Sequence, residues 1–187
     1  MKKMLALLLL LLFSQSGLAS TECQQLKEGG KWKLLKNTVT DVHFLKSPLV
    51  GCFAGFSEKG ESVYRFGIFQ QGMPAMILPS AGSFEKTNIL STNDAMRDIL
   101  AVSFRDLNGD NHRDVLIFGI ASGWGGDSNF ALIYWGCHSG FVFDENLSSK
   151  ISAESINDKE GYPKPGANIT SVIAYIKRQK MRHICPS

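Results

Sequence analysis

"ILAVSFRDLNGDNHRDVLIFGI", residues 99 to 120, places an acidic turn between two apolar runs. Ile99 to Phe104 enters the turn and Val115 to Phe118 leaves it, both rich in the β-branched and aromatic residues that favour strands. Within the turn Asp106, Asn108 and Asp110 alternate, Gly109 allows a sharp bend, and Asp114 opens the second run. Calcium takes six to eight oxygen ligands, and carboxylates two apart on a tight turn aim at one centre. Counted from Asp106, the ligand positions are Asp106, Asn108, Asp110, the His112 carbonyl and Asp114. An EF-hand needs a glycine where Asn111 stands and a glutamate where Ile117 stands. The flanks are also strands rather than helices. The expectation is therefore a strand-loop-strand Ca2+ site, closed at Asp114, that is structural and fixes the hairpin presenting Ser122 to Ser128. An acidic turn without an ion is the alternative.

Outward from this loop the pattern stays mainly β. Val50 to Phe56, Ser62 to Phe69 and Ala75 to Leu78 read as strands, with Glu58-Lys59-Gly60-Glu61 as a hairpin turn. Asn129 to Tyr134 and Phe141 to Phe143 add two more runs, and Asp144 to Leu147 turns into a short helix. Residues 157 to 168 form a polar Pro/Gly loop. Ile169, Val172, Ile173 and Ile176 follow helical spacing, with Asn168 as N-cap and basic residues towards the C-terminal end. Thr21 to Asp41 is undecided between helix and strand. The fold class expected is mainly β (α+β), a single antiparallel β domain with a C-terminal helix. The acidic motif occurs once, which argues against a repeat array.

The first nineteen residues combine Lys2 and Lys3, an apolar run from Met4 to Phe13 and small residues at Gly17 and Ala19, as a secretory signal does. Domain organisation is then a signal at 1 to 19 and one exported domain at 20 to 187. The apolar run is too short to span a bilayer and no later one is longer. Glu22 before Cys23 makes a poor lipidation signal. Losing Lys2 and Lys3 takes the formal charge from +3 to +1, and nothing then points to nucleic acid. Four cysteines in an exported chain, Cys23, Cys52, Cys137 and Cys185, favour two disulfides. Three pairings are open, and Cys23 with Cys52 and Cys137 with Cys185 is preferred. The short lysine-led signal points to a bacterial periplasmic or secreted protein, in which the sequons at Asn146 and Asn168 are incidental.

The DxNGDxxxD pattern from Asp106 to Asp114 resembles the calcium loops of FG-GAP and VCBS repeats. Together with "IASGWGGDSNFALIYWG" and "GFVFDENLSSKI", it resembles a narrower group, the periplasmic calcium-binding proteins of gammaproteobacteria. That group includes inhibitors, acting as immunity proteins, of secreted lysozyme-like effectors. The likeness covers residues 98 to 151, and Asn111 departs from the glycine usual there. It implies a protein partner, a lysozyme-like peptidoglycan hydrolase. Ser122, Gly123, Trp124 and Asp127, within a Gly-rich loop ending at Ser128, are the candidate contact residues, because aromatics on rigid β scaffolds serve as binding anchors. A hairpin connection with Trp124 packed on the core is the alternative. No Ser-His-Asp order, GxSxG elbow, HExxH helix or phosphate-binding loop is present, so the chain is not read as an enzyme. A structural or adhesion module, or a hydrolase using acidic pairs and His43, His112, His138 or His183, are the competing readings.

Overall fold

The computed structural model describes residues 21–28, 30–35, 37–43, 50–58, 64–79, 96–123, 126–153, 165–179 and 185. The expected signal, the Glu58 to Glu61 turn tip at 59 to 61 and most of the 157 to 168 loop lie outside them. In chain order come α1 (Thr21–Glu28), β1 (Trp32–Leu34), β2 (Thr40–His43), β3 (Val50–Glu58), β4 (Arg65–Gln70) and β5 (Met73–Ile77). There follow β6 (Met96–Arg105), β7 (Asp114–Gly123), β8 (Gly126–Cys137), β9 (Gly140–Phe143), α2 (Glu145–Ala153), a short 3-10 turn (Pro165–Ala167) and α3 (Ile169–Arg178).

Two antiparallel sheets result. In the first, β1 and β2 share one edge of β3, while β4 and then β5 lie on its other side. The second is a meander, β6-β7-β8-β9. Phe53, Phe66 and Ile68 of the first sheet and Val115, Ile117, Phe130, Leu132 and Tyr134 of the second make one buried cluster, so the sheets pack face to face. The opposite face of the second sheet, Leu116, Phe118, Ala131, Ile133 and Trp135, is covered by Leu147 and Ile151 of α2 and Val172, Tyr175 and Ile176 of α3. On the far side, Cys23 and Leu26 of α1 cover Cys52, Ala54, Phe56 and Phe69. The order of layers is helix, sheet, sheet, helices.

This layering explains why residues 115 to 118 and 130 to 135 are continuous apolar runs. Both faces of β7 and β8 are buried, so no polar alternation is possible. Paired residues Ile117 and Leu132 face the sandwich, whereas the neighbouring pair Leu116 and Ile133 faces the helices. The undecided N-terminal stretch becomes a helix and two short strands. Its α1 is fastened to β3 by the Cys23–Cys52 disulfide, a tertiary constraint that local pattern does not carry.

The preferred cysteine pairing is the one formed. Cys137–Cys185, with a sequence separation of 48, ties the chain's C-terminal arm to the end of β8. Closing a loop of that size lowers the entropy of the unfolded chain by an equivalent of about 4 kcal/mol. Asn168 caps α3 as expected, its Oδ1 accepting the Ser171 amide at 2.9 Å.

Helix α2 has a second duty. Strand β9 pairs with β8 from Tyr134 to Cys137, and among the described residues no strand pairs with the earlier part of that edge. There the Ile133 amide donates to Ser148 Oγ at 3.0 Å and the Ala131 amide to Ser152 Oγ at 3.1 Å. Asp144 starts the arrangement, accepting the Leu147 amide on one oxygen and Trp135 Nε1 on the other. Two serines one helical turn apart thus close an edge that otherwise exposes unpaired amides. At the outer edge of the first sheet, β5 carries exposed Met73 and Ile77, and Pro74 together with an irregular register interrupts that edge.

Leu116→Ala and Ile117→Ala, neighbours on opposite faces, are each expected to cost about 2–5 kcal/mol in denaturant unfolding. A sheet open to solvent on one side would make only one of the two costly.

Candidate functional site

Strands β6 and β7 end together, Arg105 opposite Asp114, and the acidic turn is the connection between them. Its side chains are committed to main-chain amides. Asp106 accepts from Gly109 at 2.6 Å on one oxygen and from Asn111 at 2.9 Å on the other. Asn108 Oδ1 accepts from Asp110 at 3.1 Å, Asp110 Oδ1 accepts from His112 at 2.7 Å, and Asn108 Nδ2 donates to Asp110 Oδ2 at 3.0 Å. Such side chain to backbone bonds are the reason Asp and Asn favour turns. Gly109 at φ 83° and Asn111 at φ 67° supply the left-handed steps. Asn111 thereby takes the conformation a glycine would have there. His112 Nδ1 lies 3.5 Å from Asp110 Oδ1 and is buried, with no hydrogen-bond partner among the described residues.

Asp114 differs from the others. It is fully buried, at 0% exposure. Oδ2 accepts the Leu107 amide at 2.7 Å and Oδ1 accepts the Gly136 amide at 2.9 Å. One carboxylate at the start of β7 therefore holds the acidic turn on one side and the end of β8 on the other. Gly136 is required for this approach, because a Cβ there would lie 2.2 Å from the Arg113 carbonyl oxygen. Burial pushes the Asp114 carboxyl up to about 6 from 3.8. The two amides oppose the rise, and the charges of Asp110 and Asp106 add to it.

The residues expected as ligands, Asp106, Asn108, Asp110, His112 and Asp114, thus all fall in one turn and its first strand residue. Among the described residues, no group of three or more histidine, cysteine, aspartate or glutamate side chains is gathered closely enough to hold a metal ion. As a donor set the turn suits a hard cation: its side chains offer carboxylate and amide oxygen and no sulfur. Sequence reasoning did not identify Leu107 and Gly136 as the partners of Asp114. The available signal was Gly136 itself, a glycine inside an apolar strand run, which marks close backbone approach.

The second candidate region is the turn between β7 and β8. Ser122 pairs with Asp127 and Gly123 with Gly126, so the strands continue almost to the tip and a seven-residue loop is not formed. The long apolar registers on both sides enforce this pairing. Trp124 lies outside the described residues. Asp127 and Ser128 are exposed. This tip is at the opposite end of β7 from the acidic turn, roughly 30 Å away at the rise of a strand. The turn fixes the β6–β7 corner and the end of β8, not the tip directly.

Comparison with known protein families, characterised proteins and solved structures finds no match to this chain. The fold and its bonds define a disulfide-linked, mainly β protein of an oxidising setting, extracellular or periplasmic. No helix among the described residues is long and apolar enough to cross a membrane.

The raised carboxyl gives a pH prediction. Without metal, the native state keeps a proton on Asp114 between pH 3.8 and about 6 that the unfolded chain has released. Its contribution is therefore most favourable below pH 4 and is lost as pH rises through 6. In chelator, urea unfolding of the wild type relative to Asp114→Asn is expected to lose at most roughly 3 kcal/mol across this window. A difference independent of pH would show that Asp114 ionises in the fold as it does in water.

Proposed function

We propose that the protein is an exported calcium-binding protein of the bacterial periplasm or exterior that binds and inhibits a lysozyme-like peptidoglycan hydrolase. Calcium is structural in this reading, and the protein is not an enzyme. The calcium part is carried by one observation: a fully buried carboxylate, Asp114, whose ionisation is opposed by burial and by two neighbouring carboxylates. A divalent cation would supply positive charge that offsets the burial and the neighbouring carboxylates raising the Asp114 carboxyl. Asp106, Asn108, Asp110, the His112 carbonyl and Asp114 would hold it. The chain's own residues then fix the corner, since Asp114 also accepts the Leu107 and Gly136 amides.

The inhibitory part rests on the resemblance of residues 98 to 151 to periplasmic calcium-binding inhibitors. It is supported by the form of the β7–β8 hairpin. Both strands are held on two faces by packed cores, and their shared tip carries exposed Asp127 and Ser128. A rigid scaffold that ends in small, polar and aromatic residues suits insertion into a concave partner. Ser122, Gly123, Trp124 and Asp127 are the contact residues of this reading.

Asp106→Ala and Asp110→Ala are expected to lower the melting temperature and abolish the calcium-dependent part of it. At calcium about a hundredfold above Kd the wild type should gain about 2.7 kcal/mol. An identical wild-type melt with calcium and with chelator would reject the site. For the partner, the mature protein is used as bait in a periplasmic extract, with calcium and with chelator, and the eluate is assayed for lysozyme inhibition. Recovery and inhibition of a peptidoglycan hydrolase is expected, and Asp127→Lys should weaken both. Failure to recover any such hydrolase or to inhibit any lysozyme tested would overturn the inhibitory function.

A further inference from the structure

The two disulfides sit in different surroundings. Cys52 is fully buried and Cys23 nearly so, packed among Leu26, Ala54, Phe56 and Phe69. Cys137 and Cys185 are both half-buried, one at the end of β8 and the other in the C-terminal arm. Reduction requires a thiolate to reach a sulfur, so access separates the two bridges. The less buried one also adjoins the Asp114 corner. Gly136, next to Cys137, gives its amide to Asp114 Oδ1 at 2.9 Å, while its carbonyl oxygen is 3.6 Å from Cys185 Sγ.

We propose that Cys137–Cys185 is a redox latch: a dithiol reductant opens it while Cys23–Cys52 stays closed, and opening it loosens the hold of Asp114 on Gly136 and Leu107. A thiolate of the reductant attacks one sulfur of the bridge and forms a mixed disulfide. The other cysteine leaves as a thiolate and takes a proton from solvent. The second thiol of the reductant, as its thiolate, then attacks the mixed disulfide and closes its own ring, releasing the remaining protein cysteine, which is protonated in turn. The protein gains two electrons and two protons, and the dithiol loses the same. The rest of the second sheet stays anchored, because Val172, Tyr175 and Ile176 keep α3 in its cluster and Ser148 and Ser152 keep α2 on β8. The change is thus confined to one corner.

The test uses the full mature chain in chelator, so its outcome stands whether or not the turn binds calcium. Graded dithiothreitol is followed by N-ethylmaleimide and peptide mass mapping, and amide exchange is then read on the selectively reduced protein. Cys137 and Cys185 should be labelled at least about tenfold faster than Cys23 and Cys52. Leu107 and Gly136 should exchange at least about tenfold faster than in the oxidised chain, with Ala131 and Ile133 unchanged. Equal or reversed labelling overturns the latch, and so does unchanged exchange at Leu107 and Gly136. The double variant Cys137→Ser with Cys185→Ser, untreated, should reproduce the exchange pattern of the reduced wild type. A folded double variant that exchanges as the oxidised chain does overturns it equally.

Discussion

A carboxylate removed from water must find partners or give up its charge, and Asp114 meets that condition with two main-chain amides from different parts of the chain. Leu107 belongs to the turn before β7 and Gly136 to the end of the strand after it, so one side chain defines where three consecutive strands come together. The turn's bend at Gly109 and Asn111, the bare α-carbon of Gly136 and the bridge at Cys137 are all arranged around it. Moving any of them leaves a buried acceptor short of a donor, a loss of about 1–3 kcal/mol or more for a charged group. Two further carboxylates beside a buried one make the corner electrostatically costly when all are ionised. That cost is what a bound cation would relieve.

The second sheet explains the remainder of the architecture. Its central strands are buried on both faces, so each must be covered twice: by the first sheet on one side and by α2 and α3 on the other. The first sheet repeats the scheme more lightly, with α1 on its outer face. Hydrophobic burial on this plan needs no unusual residue. It needs runs such as "VLIF" and "FALIYW" without polar interruption, and amphipathic helices long enough to lie across them.

Much of this is legible in the chain. Strand runs flanked by turn residues, the spacing in α3 and its Asn168 cap are local patterns, and local patterns predict local structure. The pairing of Cys23 with Cys52 and Cys137 with Cys185 also agrees with expectation. Less legible was whatever depends on residues distant in sequence. Thr21 to Glu28 has a weak helical pattern and is a helix because Cys52 and the apolar face of the first sheet hold it. Ser122 to Ser128 looks like a loop by composition, yet the registers of the flanking strands extend into it and pair Ser122 with Asp127 and Gly123 with Gly126. At the acidic turn the residue types and spacing could be read directly. The role of Asp114 as a clamp could not, because Gly136 is brought to it only by the β7–β8 pairing.

The two serines of α2 carry a geometric consequence of their own. Four residues along a helix advance about 6.0 Å, while two residues along a strand advance about 6.7 Å. Ser148 and Ser152 meet Ile133 and Ala131 because the two repeats nearly coincide over a single step. A further step would accumulate a mismatch of about 1.4 Å, more than a hydrogen bond absorbs. Helix and strand therefore act as the two scales of a vernier, which agree at one setting. Sliding α2 by one residue would misalign both marks and swing its serines off the strand, so a nine-residue helix reports the position of β8 to within a single residue.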